Sequence, residues 1–321
     1  MRRRHFQCEF STNQSALAAL VLALVVFGTG CSIKRFAVNR VGNALAGSGA
    51  TFASDDDPEL IRAAVPFSLK LMESLLAESP KHRGLLFATA SGFTQYAYAF
   101  VQMDADEMED QDLAAATAMR ERAKKLYLRA RDYGLRGLET KHRNFNARLR
   151  TNALAAVKGM RRADVPLLYW TAVSWGAVIS LSKDDPDRVA EVPQMEALID
   201  RALALDESWD EGAIHNFFIT YEMSRQGAPG DPAERARQHF ERAVALSGGH
   251  LAAPFVSYAE AVCVQKQDLK QFDELLQRAL AVDVNAQPDN RLVNLIMQHR
   301  ARWLESKRED LFLITEPAPK K

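Results

Sequence analysis

Cysteine is nearly absent: three occur in 321 residues, at Cys8, Cys31 and Cys263. That excludes a disulfide-stapled scaffold and any cysteine-rich zinc cluster. The seven histidines include no pair at i, i+4, so a helix-borne zinc site is not expected either, and no cofactor is called for. Net charge is also lacking, with 41 basic against 41 acidic residues, and this removes any global case for nucleic acid as a partner. Catalytic patterns are missing as well. No Gly-x-Ser-x-Gly elbow, phosphate-loop lysine or His-Glu-x-x-His occurs, and Gly47-Ser-Gly49-Ala-Thr-Phe lacks the third glycine of a dinucleotide fingerprint. A non-enzymatic binding protein is the expectation. Stretches of strict apolar–polar alternation bounded by hairpin dipeptides do not occur, which leaves an all-α chain.

What is present begins at the N-terminus. Arg2-Arg3-Arg4 precedes an apolar run from Ala16 to Phe27, too short to span a bilayer comfortably but of the length of a leader's apolar core. Gly28-Thr29-Gly30-Cys31 follows and resembles the bacterial lipobox, although Gly28 stands where an aliphatic residue is usual. Residues 1–30 are therefore expected to be a lipoprotein signal peptide, with Cys31 as the acylated residue, for instance by palmitate. Ser32 after it resembles the signal for the outer membrane, so an outer-membrane, periplasm-facing location is expected. A multiply acylated cysteine holds a protein firmly at a membrane. With Cys8 in the leader and Cys31 acylated, Cys263 has no sulfur partner, and its apolar helical run makes it a buried small hydrophobe.

Residues 31–54, rich in Gly, Ala and Ser, read as a lipidated tether. A helical domain is expected over 55–313, with a tail at 314–321. Asp57-Pro58, Asp185-Pro186 and Asp231-Pro232 have the form of helix starts, the aspartate capping and proline at the first helical position, and Ser79-Pro80 resembles them. Between them apolar residues recur near every 3.6 positions. The motif Arg201-Ala-Leu-Ala-Leu-Asp returns as Arg242-Ala-Val-Ala-Leu-Ser and Arg278-Ala-Leu-Ala-Val-Asp. A helix pair with a small residue at its contact and a period slightly above 34 resembles a tetratricopeptide repeat. These copies are degenerate, and the expected fold is an α-solenoid or bundle of such pairs.

Aromatic residues concentrate on the second helix of each expected pair, where a solenoid lines its inner surface. A Tyr or Trp there offers an apolar face with one polar tip, suited to a small, partly apolar ligand bearing a carboxylate or carbonyl. Tyr96, Trp170, Trp175 and Tyr221 are expected to face a cavity, and Tyr258 and His215 complete the candidate set. His215 has two readings: a donor to a ligand carboxylate, or a histidine satisfied by a glutamate within the bundle. Residues 119–162 hold fourteen Lys/Arg and three Asp/Glu, a solvated face or a docking surface for an acidic partner or anionic headgroups. The acidic run from Asp104 to Asp112 reads as a solvated loop without calcium-site spacing.

Several stretches together resemble the TRAP-transporter-associated TPR lipoprotein family, TatT. They are Asp57-Pro-Glu-Leu-Ile-Arg-Ala-Ala-Val-Pro-Phe, Ser91-Gly-Phe-Thr-Gln-Tyr-Ala-Tyr-Ala-Phe-Val, Gly212-Ala-Ile-His-Asn-Phe-Phe, Phe255-Val-Ser-Tyr-Ala-Glu and Asn294-Leu-Ile-Met-Gln-His-Arg-Ala-Arg-Trp-Leu. The resemblance implies a membrane-anchored scaffold that partners the periplasmic solute-binding (P) subunit of a TRAP transporter. It also implies a ligand tunnel and self-assembly as a homo-oligomer, a trimer. A competing expectation is a repeat lipoprotein of envelope assembly or secretion that binds polypeptide.

Overall fold

A computed structural model of the chain describes residues 38–47 and 49–313. The leader, Cys31 and the tail at 314–321 lie outside the described residues. Among the described residues there is no strand, and the fold is all-α.

Among the described residues, five helix pairs follow one another. The first is α3 (Pro58–Glu78) with α4 (Arg83–Ala97), which runs on through a π-helical turn, Tyr98–Gln102, into α5 (Met103–Met108). It is preceded by α1 (38–46) and α2 (Gly49–Ala53). The second pair is α6 (Leu113–Glu139) with α9 (Val165–Ser180), joined through α7 (Phe145–Thr151) and α8 (Ala153–Val157). After α10 (Pro186–Val189) come α11 (Val192–Leu205) with α12 (Ala213–Tyr221), then α13 (Pro232–Leu246) with α14 (Ala253–Tyr258). A second π turn, Ala259–Cys263, leads through α15 (Val264–Lys266) to α16 (Leu269–Leu280), α17 (Arg291–Ser306) and α18 (Arg308–Leu311).

Local chemistry explains the boundaries. The Asp57 carboxylate accepts the backbone N–H groups of Glu59 and Leu60, both at 3.0 Å, while Pro58 fills a position that needs no donor. Asp185 and Asp231 cap α10 and α13 in the same way. Ser79-Pro80 does not start a helix. Ser79 ends α3, and α4 begins four residues later at Arg83, capped by His82, whose Nδ1 accepts the Leu85 N–H at 3.1 Å. The repeated motif closes α11, α13 and α16, and its alanines, Ala202, Ala243 and Ala279, are fully buried at helix contacts. Helices α6 and α9 approach more closely still, because a Cβ on Gly134 would stand 2.2 Å from the Thr171 Oγ1. Gly212, at φ +87°, fits beside Leu246 and Ala243 of α13 where a side chain would be both strained and crowded.

The stretch expected as a tether is helical where it is described. Helices α1 and α2 run back along the first pair, Leu45 packing on Met72, Leu76 and Leu85, and Phe52 on the Ile61–Leu69 cluster. The acidic run is not a solvated loop: much of it is α5, Asp112 caps α6, and the other carboxylates form ion pairs. Asp104 pairs with Arg62, Asp106 and Glu109 with Arg120, Glu107 with His299 and Asp110 with Lys307. Two of those partners lie on or just after α17, at the far end of the chain. Helix α17 also packs on α2 and α3, and Arg291 donates to the Ser54 carbonyl at 2.9 Å. The row of helix contacts thus closes on itself, last pair against first.

Candidate functional site

The second helices form a continuous inner row. Helix α4 packs on α9, α12 on α14, and α14 on α17, while Phe217 of α12 meets Gly176 of α9. Each leaves one face incompletely covered. On α9 this is Pro166, Trp170, Val173 and Ala177, at the spacing of one helix face. On α4 it is Phe87, Ala88 and Gln95, of which Gln95 is exposed. On α12 it is Ala213, Asn216, Phe217 and Thr220. These faces are apolar with a few amide and hydroxyl groups, the composition of a site for a small, partly apolar molecule.

The six residues singled out from sequence do not meet at one place. Tyr96 belongs to the cluster of the first pair, tilted against Phe100 with the Arg122 guanidinium over its ring. Trp170, Trp175 and Tyr221 share the second cluster, and Tyr258 the third, against Phe240. Trp170 is half-exposed, edge-on to Tyr169 at 5.0 Å. Trp175 is only 4% exposed: its indole N–H donates to Glu191 at 2.7 Å and Arg131 stacks over the ring. The Tyr221 hydroxyl donates to Glu196 at 2.8 Å, and burial together with that carboxylate holds its pKa well above the phenol's ordinary value.

His215 is buried and engaged at both nitrogens. Its Nδ1 lies 2.8 Å from the Nδ1 of His239, and its Nε2 3.3 Å from Glu207. With Nε2–H donating to the carboxylate, Nδ1 must accept, so His239 supplies the proton between the rings. Burial lowers both pKa values, that of His239 to about 4, where the neighbouring His215 adds to the effect. The pair is therefore neutral near pH 7. His215 also borders a cleft of about 510 Å³ beside Arg162 and the end of α11.

Sequence reasoning missed a charged interior feature at the closure. Arg300 of α17, 6% exposed, reaches Glu260 in the second π turn and Asp106 of α5, and stacks on Trp303. Tyr98, in the first π turn, lies within their field; burial, reinforced by Glu260, pushes its pKa up to about 12. Insertions of a π turn are frequent where a helix has been adapted to a function. Here both adjust helices that meet at this network. No signal in the sequence linked residues so far apart.

Among the described residues, no group of three or more His, Cys, Asp or Glu could hold a metal ion, and no helix is long and apolar enough to cross a membrane. Residues 54–312 match the TAtT family, described as TRAP transporter T-component. The chain belongs to that family. It is also 31% identical over 302 residues to an uncharacterized protein of Treponema pallidum (strain Nichols), covering 88% of this chain and 94% of that one. A T-component is a transporter-associated part, and its fold here is the closed row of helix pairs just described.

Proposed function

We propose that this T-component is a lipoprotein, anchored through Cys31 at the outer membrane and facing the periplasm, that partners the solute-binding P subunit of a TRAP transporter. In this reading it holds a small, partly apolar ligand against the inner faces of its second helices, with Trp170 and Phe217 as apolar walls and Gln95, Asn216 and Thr220 as polar contacts. The observation that carries it is the uncovered apolar face repeated on α4, α9 and α12 within a family of TRAP transporter components. An enzymatic role would need an acid, base or nucleophile poised toward those faces. The buried or half-buried titratable groups His215, His239, Tyr221 and Arg300 instead spend their polar atoms on one another or on neighbouring carboxylates.

The test is capture of the P subunit by the purified mature protein, read together with native mass spectrometry for retained ligand and for copy number. Stoichiometric P subunit supports the proposal. Recovery of envelope-assembly polypeptides with no P subunit would replace it with a groove that binds extended chains.

A further inference from the structure

From Thr140 to Ala163 the chain carries seven Lys/Arg and no Asp or Glu. Arg162 is held by Asp206 at 2.7 Å. The other six, Lys141, Arg143, Arg148, Arg150, Lys158 and Arg161, are exposed, and none reaches a carboxylate among the described residues. Elsewhere among the described residues most charged side chains are in ion pairs, so the gap is local. Among these cations stands Leu154, 74% exposed at the start of α8. The inward side of the same segment is well packed: Phe145, Leu149, Ala156, Val157 and Met160 join the core. The cations are thus carried on a firm platform.

That platform lies at a definite end of the molecule. Arg83, at the start of α4, donates to the carbonyls of Gly137 and Ala163 and to Asp164, and Arg136 donates to the Pro80 carbonyl. The α3–α4 turn, the end of α6 and the α7–α8 segment therefore share one end. The first described residues arrive there too. The Ser79 hydroxyl meets Asn39 at 2.8 Å, and Gly42 and Gly84 allow α1 to pass across the turn beside His82 and Leu85. Cys31 stands seven residues before Val38, a span of at most roughly 25 Å even fully extended.

We propose that this end docks on the headgroup surface of an anionic bilayer, its six free cations around Leu154 meeting lipid phosphates. The orientation rests on the reading of Cys31 as the anchor; the surface itself does not. A protein partner is the poorer fit, because a stable protein interface needs an apolar core several side chains across, and this patch offers one leucine. Mobile phosphates need no such core and no fixed geometry. Juxtamembrane basic clusters are drawn to anionic leaflets in just this way.

The probe is the mature chain carrying Cys31→Ser, so that no lipid contributes, sedimented with phosphatidylcholine vesicles with and without phosphatidylglycerol. Binding only to the phosphatidylglycerol vesicles is expected, with release as ionic strength rises to about 0.5 M, where the screening length falls to a few ångströms. Arg148→Glu with Arg150→Glu and Lys158→Glu should weaken it at least ~tenfold, and Leu154→Ser less. All four side chains are exposed, and circular dichroism checks the fold. Equal binding to both vesicle types, or none to either, overturns the proposal. So does a reversal variant that keeps its vesicle binding and loses capture of an acidic protein instead. Because Cys31 is absent from the probe, a failure of lipid labelling at Cys31 would sink the anchor reading alone.

Discussion

Two tryptophans on one helix show what a sequence tells about a single residue. Trp170 and Trp175 are five positions apart on α9, so they point to different sides, yet both read as equally good ligand contacts in a run that is apolar all round. Without a polar face, periodicity cannot assign the phase of such a helix. The structure assigns it: Trp175 is enclosed between Arg131 and Glu191, whereas Trp170 lies on the uncovered face. Trp175→Ala should therefore cost about 3–5 kcal/mol of stability and leave the Glu191 carboxylate short of a donor. Trp170→Ala should cost about 1–2 kcal/mol and reduce retention of a copurifying ligand. Urea unfolding and native mass spectrometry separate the two. A Trp170 variant as unstable as the Trp175 variant would make both core residues.

At the scale of the element, the repeated motif and the aspartate caps were fully legible, because each depends on contacts within a few residues. The three buried alanines sit where the motif placed them, at the ends of α11, α13 and α16. What could not be read was pairing between elements. His215 on α12 was visible as a candidate, but its partner His239 comes from the next helix, α13, and its other partner, Glu207, from the turn before α12. This pair fixes the sign of a pH effect. Both histidines have pKa values depressed by burial, so the unfolded chain binds more protons than the folded one below the ordinary histidine value of about 6.5. The stability they confer is complete above that pH and is lost as pH falls toward the His239 value of about 4. The loss due to His239 should be about 1–2 kcal/mol, allowing for its partial exposure. Urea midpoints recorded across this window should slope downward with acid. His239→Gln, which can still bond to His215, should flatten the slope, and an unchanged slope would show that other groups carry it.

The whole molecule differs from an open solenoid in one respect, and that respect was invisible in the sequence. Local reading made residues 104–112 a solvated loop because the partners of Glu107 and Asp110, His299 and Lys307, are nearly two hundred positions away. In an open array each repeat is stabilised only by its neighbours, so damage at one end stays there. Here α17 serves two sets of neighbours. Met297, Ala301 and Leu304 belong to the cluster of the last two pairs, while Leu292 and Ile296 pack on the cluster of Ile61, Leu69 and Phe93. Arg300 adds a charge buried between Glu260 and Asp106, and removing one partner of such a group typically costs about 3–5 kcal/mol. A chain ending at Asn290 should therefore lose amide-exchange protection in α14 and α16 and, equally, in α2 and the first half of α3, more than two hundred residues from the cut. Loss confined to α14 and α16 would mean that the seam contributes little and that the molecule behaves as a linear stack. Loss at both ends would make the T-component a ring whose inner faces hold their spacing only while α17 closes it.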